Sequence, residues 1–252
     1  MNDDQRPFAA PITDARVAGH LPETPWKPWY ALAGGFAITC GAFALTLLCV
    51  SVVQKSGNRE AAAAQEWLAM VAFQVGMTLG ALWLAGWFGG NRSKVLALDR
   101  WPRPGAMAII AGTFLLFTLP YTFAVYVLRP DVLIADNLQF VQLLRRPDWA
   151  IYAVIIAIGA PVSEELLFRG FMLPALARSR IGFVGATLVT TTLWMALHFT
   201  YSIFGLVEIF MIGLILSWAL YRTGSLWASL AIHAINNGAL AFAMKFQLLP
   251  WT

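Results

Sequence analysis

The chain has 252 residues, of which 59% are hydrophobic and only 12% charged, and its formal net charge is +4. An ordinary globular domain is about 45–50% apolar and about 25% charged, so this composition excludes a soluble fold along with disordered, collagenous and disulfide-scaffold classes. The surplus of cations is not a nucleic-acid signature either: the seventeen Lys and Arg are scattered among short connections, with no basic run longer than Arg145-Arg146, and in a bilayer such charges mainly set orientation.

Residues 1–30 are polar and broken by Pro7, Pro11, Pro22, Pro25 and Pro28, which predicts a disordered tail. The first apolar run begins near Trp29 without a compact basic region or a small-residue cleavage site, so it is expected to remain as an anchor. Runs of about twenty apolar residues cross about 30 Å of hydrocarbon. They predict about seven spans, at 31–53, 67–88, 105–128, 149–173, 182–201, 205–221 and 225–246. The expected fold is therefore all-α, a polytopic transmembrane helix bundle. Residues 31–130 hold the first three spans and 149–246 the last four. Between them, 131–148 interleaves Val132, Leu133, Leu138, Val141 and Leu144 with Asp136, Gln139 and Gln142, the pattern of an amphipathic helix lying in the interface.

Cys40 and Cys49 share the first span, about 13 Å apart along a helix axis, too far for an intrachain disulfide. With the N-terminus inside, ten Lys and Arg fall on inside connections and six outside, which favours a cytoplasmic N-terminus by the positive-inside rule.

Ionisable side chains within a span are costly, so each is a candidate functional group. They gather late in the chain: Glu164, Glu165 and Arg169 in the fourth span, His198 in the fifth, Glu208 in the sixth, His233 with Asn237 in the seventh. At 100° per residue, Arg169 lies about 40° from Glu165 but about 140° from Glu164. Glu165 and Arg169 are thus expected to pair, leaving Glu164 without a local partner and with the raised proton affinity that suits a general base. His233 and Asn237 share one helix face and offer donors suited to an oxyanion. A buried structural network joining neighbouring helices accounts for the same residues. Glu208, near the start of its span, reads as interfacial and is left out of the site. No His-Glu-x-x-His occurs, none of Lys27, Lys55, Lys94 and Lys245 lies mid-span, no Gly-x-Ser-x-Gly elbow is present, and no span contains Asp. A helix-borne zinc motif of that kind, a Ser–Lys dyad, an α/β-hydrolase elbow and an aspartyl dyad are therefore disfavoured.

Three motifs in order over residues 148–245 resemble those of the CAAX prenyl protease type II and bacteriocin-processing family (CPBP, also called Abi). Glu-Glu-x-x-x-Arg is Glu164, Glu165 and Arg169. Phe-x-x-x-His is matched by Trp194 and His198, with Trp where Phe is usual. His-x-x-x-Asn is His233 and Asn237. The resemblance implies an all-helical intramembrane endopeptidase with its active-site core in the last four spans, acting on a membrane protein or peptide. Glu164 and His198 activate water, His233 and Asn237 stabilise the oxyanion, and Glu165 and Arg169 support the geometry. The family is commonly labelled metalloprotease, and a metal-free glutamate mechanism has also been argued for it. A Zn2+ ion held by Glu164, His198 and His233 and a metal-free route both stay open, the metal-free one being preferred. The alternative is a non-proteolytic immunity or scaffold protein of the same family, as in bacteriocin self-immunity. A proton-relay transporter is weakened by the lack of repeats or paired broken helices. The expected location is the bacterial inner membrane, with lipid as surroundings and no nucleic-acid partner.

Overall fold

A computed structural model of the chain describes residues 21–248 apart from Asn58 and Gly90. Every regular element among them is helical: α1 (Pro28–Ser56), α2 (Arg59–Trp87), the short α3 (Arg92–Val95), α4 (Pro104–Leu128) and α5 (Pro130–Arg145). They are followed by α6 (Trp149–Ala177), α7 (Gly182–Ala196), α8 (Ile203–Thr223) and α9 (Leu226–Lys245). Pro28, Pro104 and Pro130 open α1, α4 and α5, where a missing N–H costs nothing. Gly57 and Gly224, both at φ 64°, close α1 and α8 in the left-handed conformation that ends many helices.

Six helices are long and apolar enough to cross a membrane: α1, residues 64–87 of α2, α4, α6, α8 and α9. The seventh expected span is shorter. α7 has 15 residues, a rise of about 22 Å against about 30 Å of hydrocarbon. Reading on to Tyr201 joined the apolar Phe199 and Tyr201 to the helix, whereas Leu197–Thr200 form a turn and Phe199 projects outward. The chain is thus a polytopic, all-helical membrane bundle. The ends at which α1 begins, α2 finishes and α4 begins carry the exposed Trp29, Trp87 and Trp101, placed as interfacial anchors.

The expected disordered tail falls largely on residues 1–20, outside the described residues. From Leu21 onward the chain is packed: Leu21 and Trp26 are buried, the Trp26 indole donates to the Phe171 carbonyl at 3.1 Å, and its ring stacks on Phe171 at 4.7 Å. Prolines alone signalled a tail to residue 30, but one buried tryptophan suffices to dock the last ten residues of it.

Helix α6 is the centre of the bundle, packed on α1, α2, α7 and α9. It is interrupted by two π-helical stretches, Ile155–Gly159 and Glu165–Met172, on either side of Glu164. Pro161 lacks the N–H that would continue the ladder, and in lipid every freed carbonyl needs another partner. Asn237 Nδ2 of α9 supplies one by donating to the Ile156 carbonyl at 3.1 Å, and the Ile155 carbonyl, which already accepts from the Ala160 N–H, also receives Gln74 Nε2 of α2 at 3.3 Å. Gly159 makes room for Gln74, since a Cβ there would collide with Gln74 Oε1.

The segment expected to be amphipathic is α5, which packs across the ends of α4, α8 and α9 and buries Val141, Leu143 and Leu144. Two contacts fasten it. Asp136 accepts from Ser202 N at 2.8 Å and Oγ at 2.6 Å, at the N-cap of α8, and Lys245 Nζ of α9 donates to the Leu144 carbonyl at 3.0 Å.

Candidate active site

The deepest polar group is an ion pair. Arg169 Nη1 donates to Glu165 Oε1 at 2.9 Å, and both side chains are 0% exposed. Removing two charges from water costs several kcal/mol per ion unless further hydrogen bonds compensate, and three neighbouring helices contribute here. From α9, His233 Nδ1 lies 3.0 Å from the same Glu165 Oε1. From α8, the Gly213 carbonyl accepts from Arg169 Nη2 at 3.3 Å. From α7, the Trp194 ring lies 4.4 Å beneath the guanidinium carbon, a cation–π contact. Gly213 is required for this approach, because a Cβ would lie 2.5 Å from Thr191 Cγ2 and 3.0 Å from Arg169 Nη2. Glu165 Oε2 and Arg169 Nε have no hydrogen-bond partner among the described residues.

Glu164 points elsewhere, as its angle along the helix requires, but it is not unpartnered. Its Oε2 accepts from the Trp194 indole N–H at 2.6 Å and lies 3.8 Å from His233 Nε2. Trp194 also presents its backbone carbonyl, 3.1 Å from His198 Nδ1. A carbonyl and a carboxylate only accept, so Nδ1 carries the hydrogen in both His198 and His233. Neutral, each ring therefore turns a bare Nε2 outward, and His233 becomes a donor at Nε2 only when protonated. His198 sits in the turn beyond α7 rather than within a span.

Glu164, Trp194, His198, His233 and Asn237 line one cavity of about 710 Å³ whose walls are otherwise chiefly apolar, with α4, α5 and α8 completing it. The structure thus brings all four expected catalytic residues to one chamber, with Glu165 and Arg169 directly behind it. Asn237 meets this chamber with one amide hydrogen already committed to the Ile156 carbonyl, while its Oδ1 accepts from Asn236 at 3.3 Å.

Glu208 and Tyr201 are among the chamber's polar residues that the sequence pattern did not assign to the site. Glu208 is a wall residue whose Oε1 accepts from Thr122 Oγ1 of α4 at 2.5 Å; nearness to a span's end hid it. Tyr201 stands one turn after His198, its ring edge-on to the imidazole with centroids 5.8 Å apart, and only that three-residue spacing hinted at it. Burial, with Asp136, Glu164 and Glu208 nearby, holds the Tyr201 phenol above its ordinary range, so it stays protonated.

Among the described residues no three His, Cys, Asp or Glu side chains converge to hold a metal ion. Glu164, His198 and His233 therefore do not fit a ready-made zinc site, even though a fixed Nδ1 and a free Nε2 is also the way zinc-ligating histidines are oriented.

Comparison with known proteins places this site in context. Residues 146–239 match the family model described as type II CAAX prenyl endopeptidase Rce1-like. An uncharacterized 24.3 kDa protein of Escherichia coli is 41% identical over 91 residues, 34% of this chain and 41% of the relative. The uncharacterized protein YyaK of Bacillus subtilis (strain 168) is 32% identical over 96 residues, 35% of this chain and 32% of the relative. The chain thus spans about two fifths and about one third of these curated relatives. No solved structure matches the chain.

Proposed function

We propose, because residues 146–239 match the family model described as type II CAAX prenyl endopeptidase Rce1-like, that the protein is an integral membrane endopeptidase that hydrolyses a peptide bond in a membrane-associated protein or peptide. The observation that carries this reading is the shared chamber, in which a carboxylate and two imidazole Nε2 atoms face one largely apolar cavity. Glu164 and His198 activate a water. As the water oxygen bonds to the scissile carbonyl carbon, its proton passes to Glu164 and the carbonyl π pair moves onto oxygen. Protonated His233, held at Nδ1 by Glu165, donates to that oxyanion together with the uncommitted amide hydrogen of Asn237. The proton then goes to the leaving nitrogen as the oxyanion pair re-forms the carbonyl and the C–N bond breaks, giving an amine and a carboxylic acid, which loses its remaining proton to the solvent. Trp194 holds Glu164 in place, and Glu165 and Arg169 fix His233 from behind. Since the donor set does not fit a preformed zinc site, every step is assigned to the chain's own side chains.

Bacterial relatives and the excess of Lys and Arg on the N-terminal side support a place in the bacterial inner membrane with a cytoplasmic N-terminus. The test starts by comparing membrane proteomes of the host with and without the gene, which nominates substrates. Cleavage of those substrates by purified protein in liposomes is then measured for wild type and Glu164→Gln. Cleavage lost in a folded variant supports the mechanism, and unchanged cleavage refutes it. A protective phenotype that survives lost cleavage would instead assign that phenotype to binding.

A further inference from the structure

We propose that Tyr201 is a further catalytic residue, donating its phenol hydrogen to the scissile carbonyl oxygen as that oxygen becomes the tetrahedral oxyanion. The inference rests on the endopeptidase reading above and adds a further donor to it. His233 donates from Nε2 only when protonated, and Asn237 has one of its two amide hydrogens tied to Ile156. An oxyanion is best held by more than one fixed donor.

Tyr201 meets the requirements in position and in freedom. It lines the chamber with Glu164, His198 and His233. Its backbone N–H donates to the His198 carbonyl at 2.9 Å, and its ring rests edge-on against the His198 imidazole, so it is fixed relative to the group that activates water. Its hydroxyl has no hydrogen-bond partner among the described residues. Buried tyrosines usually place that group on an acceptor. Tyr121 does so here, donating to the Phe204 carbonyl at 2.8 Å, and Tyr152 approaches Glu66 at 3.4 Å. A half-buried phenol that lines the chamber and bonds to none of its carboxylates is a donor open to whatever enters the chamber. Its role in the chamber is that of a hydroxyl donor. The phenol hydrogen is shared with the oxyanion and not transferred; the proton reaching the leaving amine still comes from the attacking water.

The experiment compares wild type, Tyr201→Phe and Glu164→Gln in liposomes on a peptide nominated by the membrane-proteome comparison, measuring kcat, KM and thermal unfolding for each. Phenylalanine keeps the ring against His198 and removes only the donor. The expected result is a kcat about 100-fold lower with KM and unfolding temperature unchanged, in line with loss of one oxyanion donor. Wild-type kcat in Tyr201→Phe, alongside an inactive Glu164→Gln, overturns the assignment and leaves the endopeptidase reading standing. A kcat that falls only in step with the unfolding temperature assigns Tyr201 to packing and overturns it too. Should the wild type cleave no nominated peptide, or Glu164→Gln cleave as well as the wild type, the endopeptidase reading fails and takes this inference with it.

Discussion

His233 and Glu165 are joined across two helices by a 3.0 Å contact between Nδ1 and Oε1, and the same carboxylate oxygen receives Arg169 at 2.9 Å. The imidazole is thereby held in one tautomer with Nε2 facing Glu164 at 3.8 Å. Two adjacent glutamates thus divide the work: one is buried and fixes the histidine, while the other faces the chamber.

That division predicts opposite signatures for two neighbouring substitutions. Glu165→Ala strands Arg169 as an uncompensated buried charge and should cost about 3–5 kcal/mol of stability, seen as a lower unfolding temperature or lost expression. Glu164→Gln keeps an acceptor for the Trp194 indole, so unfolding should move little while cleavage disappears. Equal destabilisation by both would show that Glu164 is a structural member of the network.

Gly213 permits the closest approach in that network. A methyl group there meets Thr191, Trp194 and Arg169 together, and overpacking of this kind typically costs about 1–3 kcal/mol. Gly213→Ala should therefore lower the unfolding temperature of the purified protein in detergent and reduce turnover, since the guanidinium must shift. Ala at the loosely surrounded Gly112, where a Cβ meets nothing within 4 Å, is the matched control and should change neither.

How much of this was legible in the chain follows from the range of each interaction. The Glu165–Arg169 pair was read from spacing alone, although its segment is π-helical. A π turn of roughly 4.4 residues leaves i+4 about 30° short of a full turn, while an α turn carries it about 40° past, so the two stay on one face in either geometry. The hold of Trp194 on Glu164 spans 30 positions and that of Asn237 on Ile156 spans 81. No local periodicity reports such contacts. Hydropathy likewise placed the helices well but ran α7 on into the turn that carries His198. Glu208 and Tyr201 were hidden because lying near a helix end reads as lying near water, yet α5 covers that end.

Asn237 has two duties, and its substitution should show both. Asn237→Ala leaves the Ile156 carbonyl without its partner beside Pro161, a cost of about 1–3 kcal/mol, and also removes an amide from the chamber. Unfolding temperature and kcat should fall together, in contrast to Tyr201→Phe. A variant that loses kcat at full stability would assign Asn237 to the oxyanion alone.

Orientation is checked with single cysteines in a chain carrying Cys40→Ala and Cys49→Ala. Asp131 and Arg100 have exposed side chains, 65% and 62%, at opposite ends of α4. With the N-terminus cytoplasmic, a membrane-impermeant thiol reagent should label Asp131→Cys in intact spheroplasts and Arg100→Cys only after lysis. The reverse pattern would place the chamber's α5 rim in the cytoplasm and overturn the positive-inside assignment.

The last expectation concerns zinc. His198 and His233 each fix Nδ1 on an acceptor and leave Nε2 free, yet their neighbours do not converge into a three-ligand set. A metal bound by Glu164, His198 and His233 would therefore require side chains to move together on loading, and the Trp194 indole would have to release Glu164. If water is activated without metal, protein purified in the absence of chelators should carry no stoichiometric zinc. Its zinc content should be the same in His198→Ala and His233→Ala, and its cleavage should survive a strong chelator. Zinc present at one per chain and lost in both variants would replace direct water activation by Glu164 with a metal-bound water, with His198 and His233 as ligands. Trp194 fluorescence offers a second readout, because release of its indole N–H from Glu164 on metal addition would change the emission.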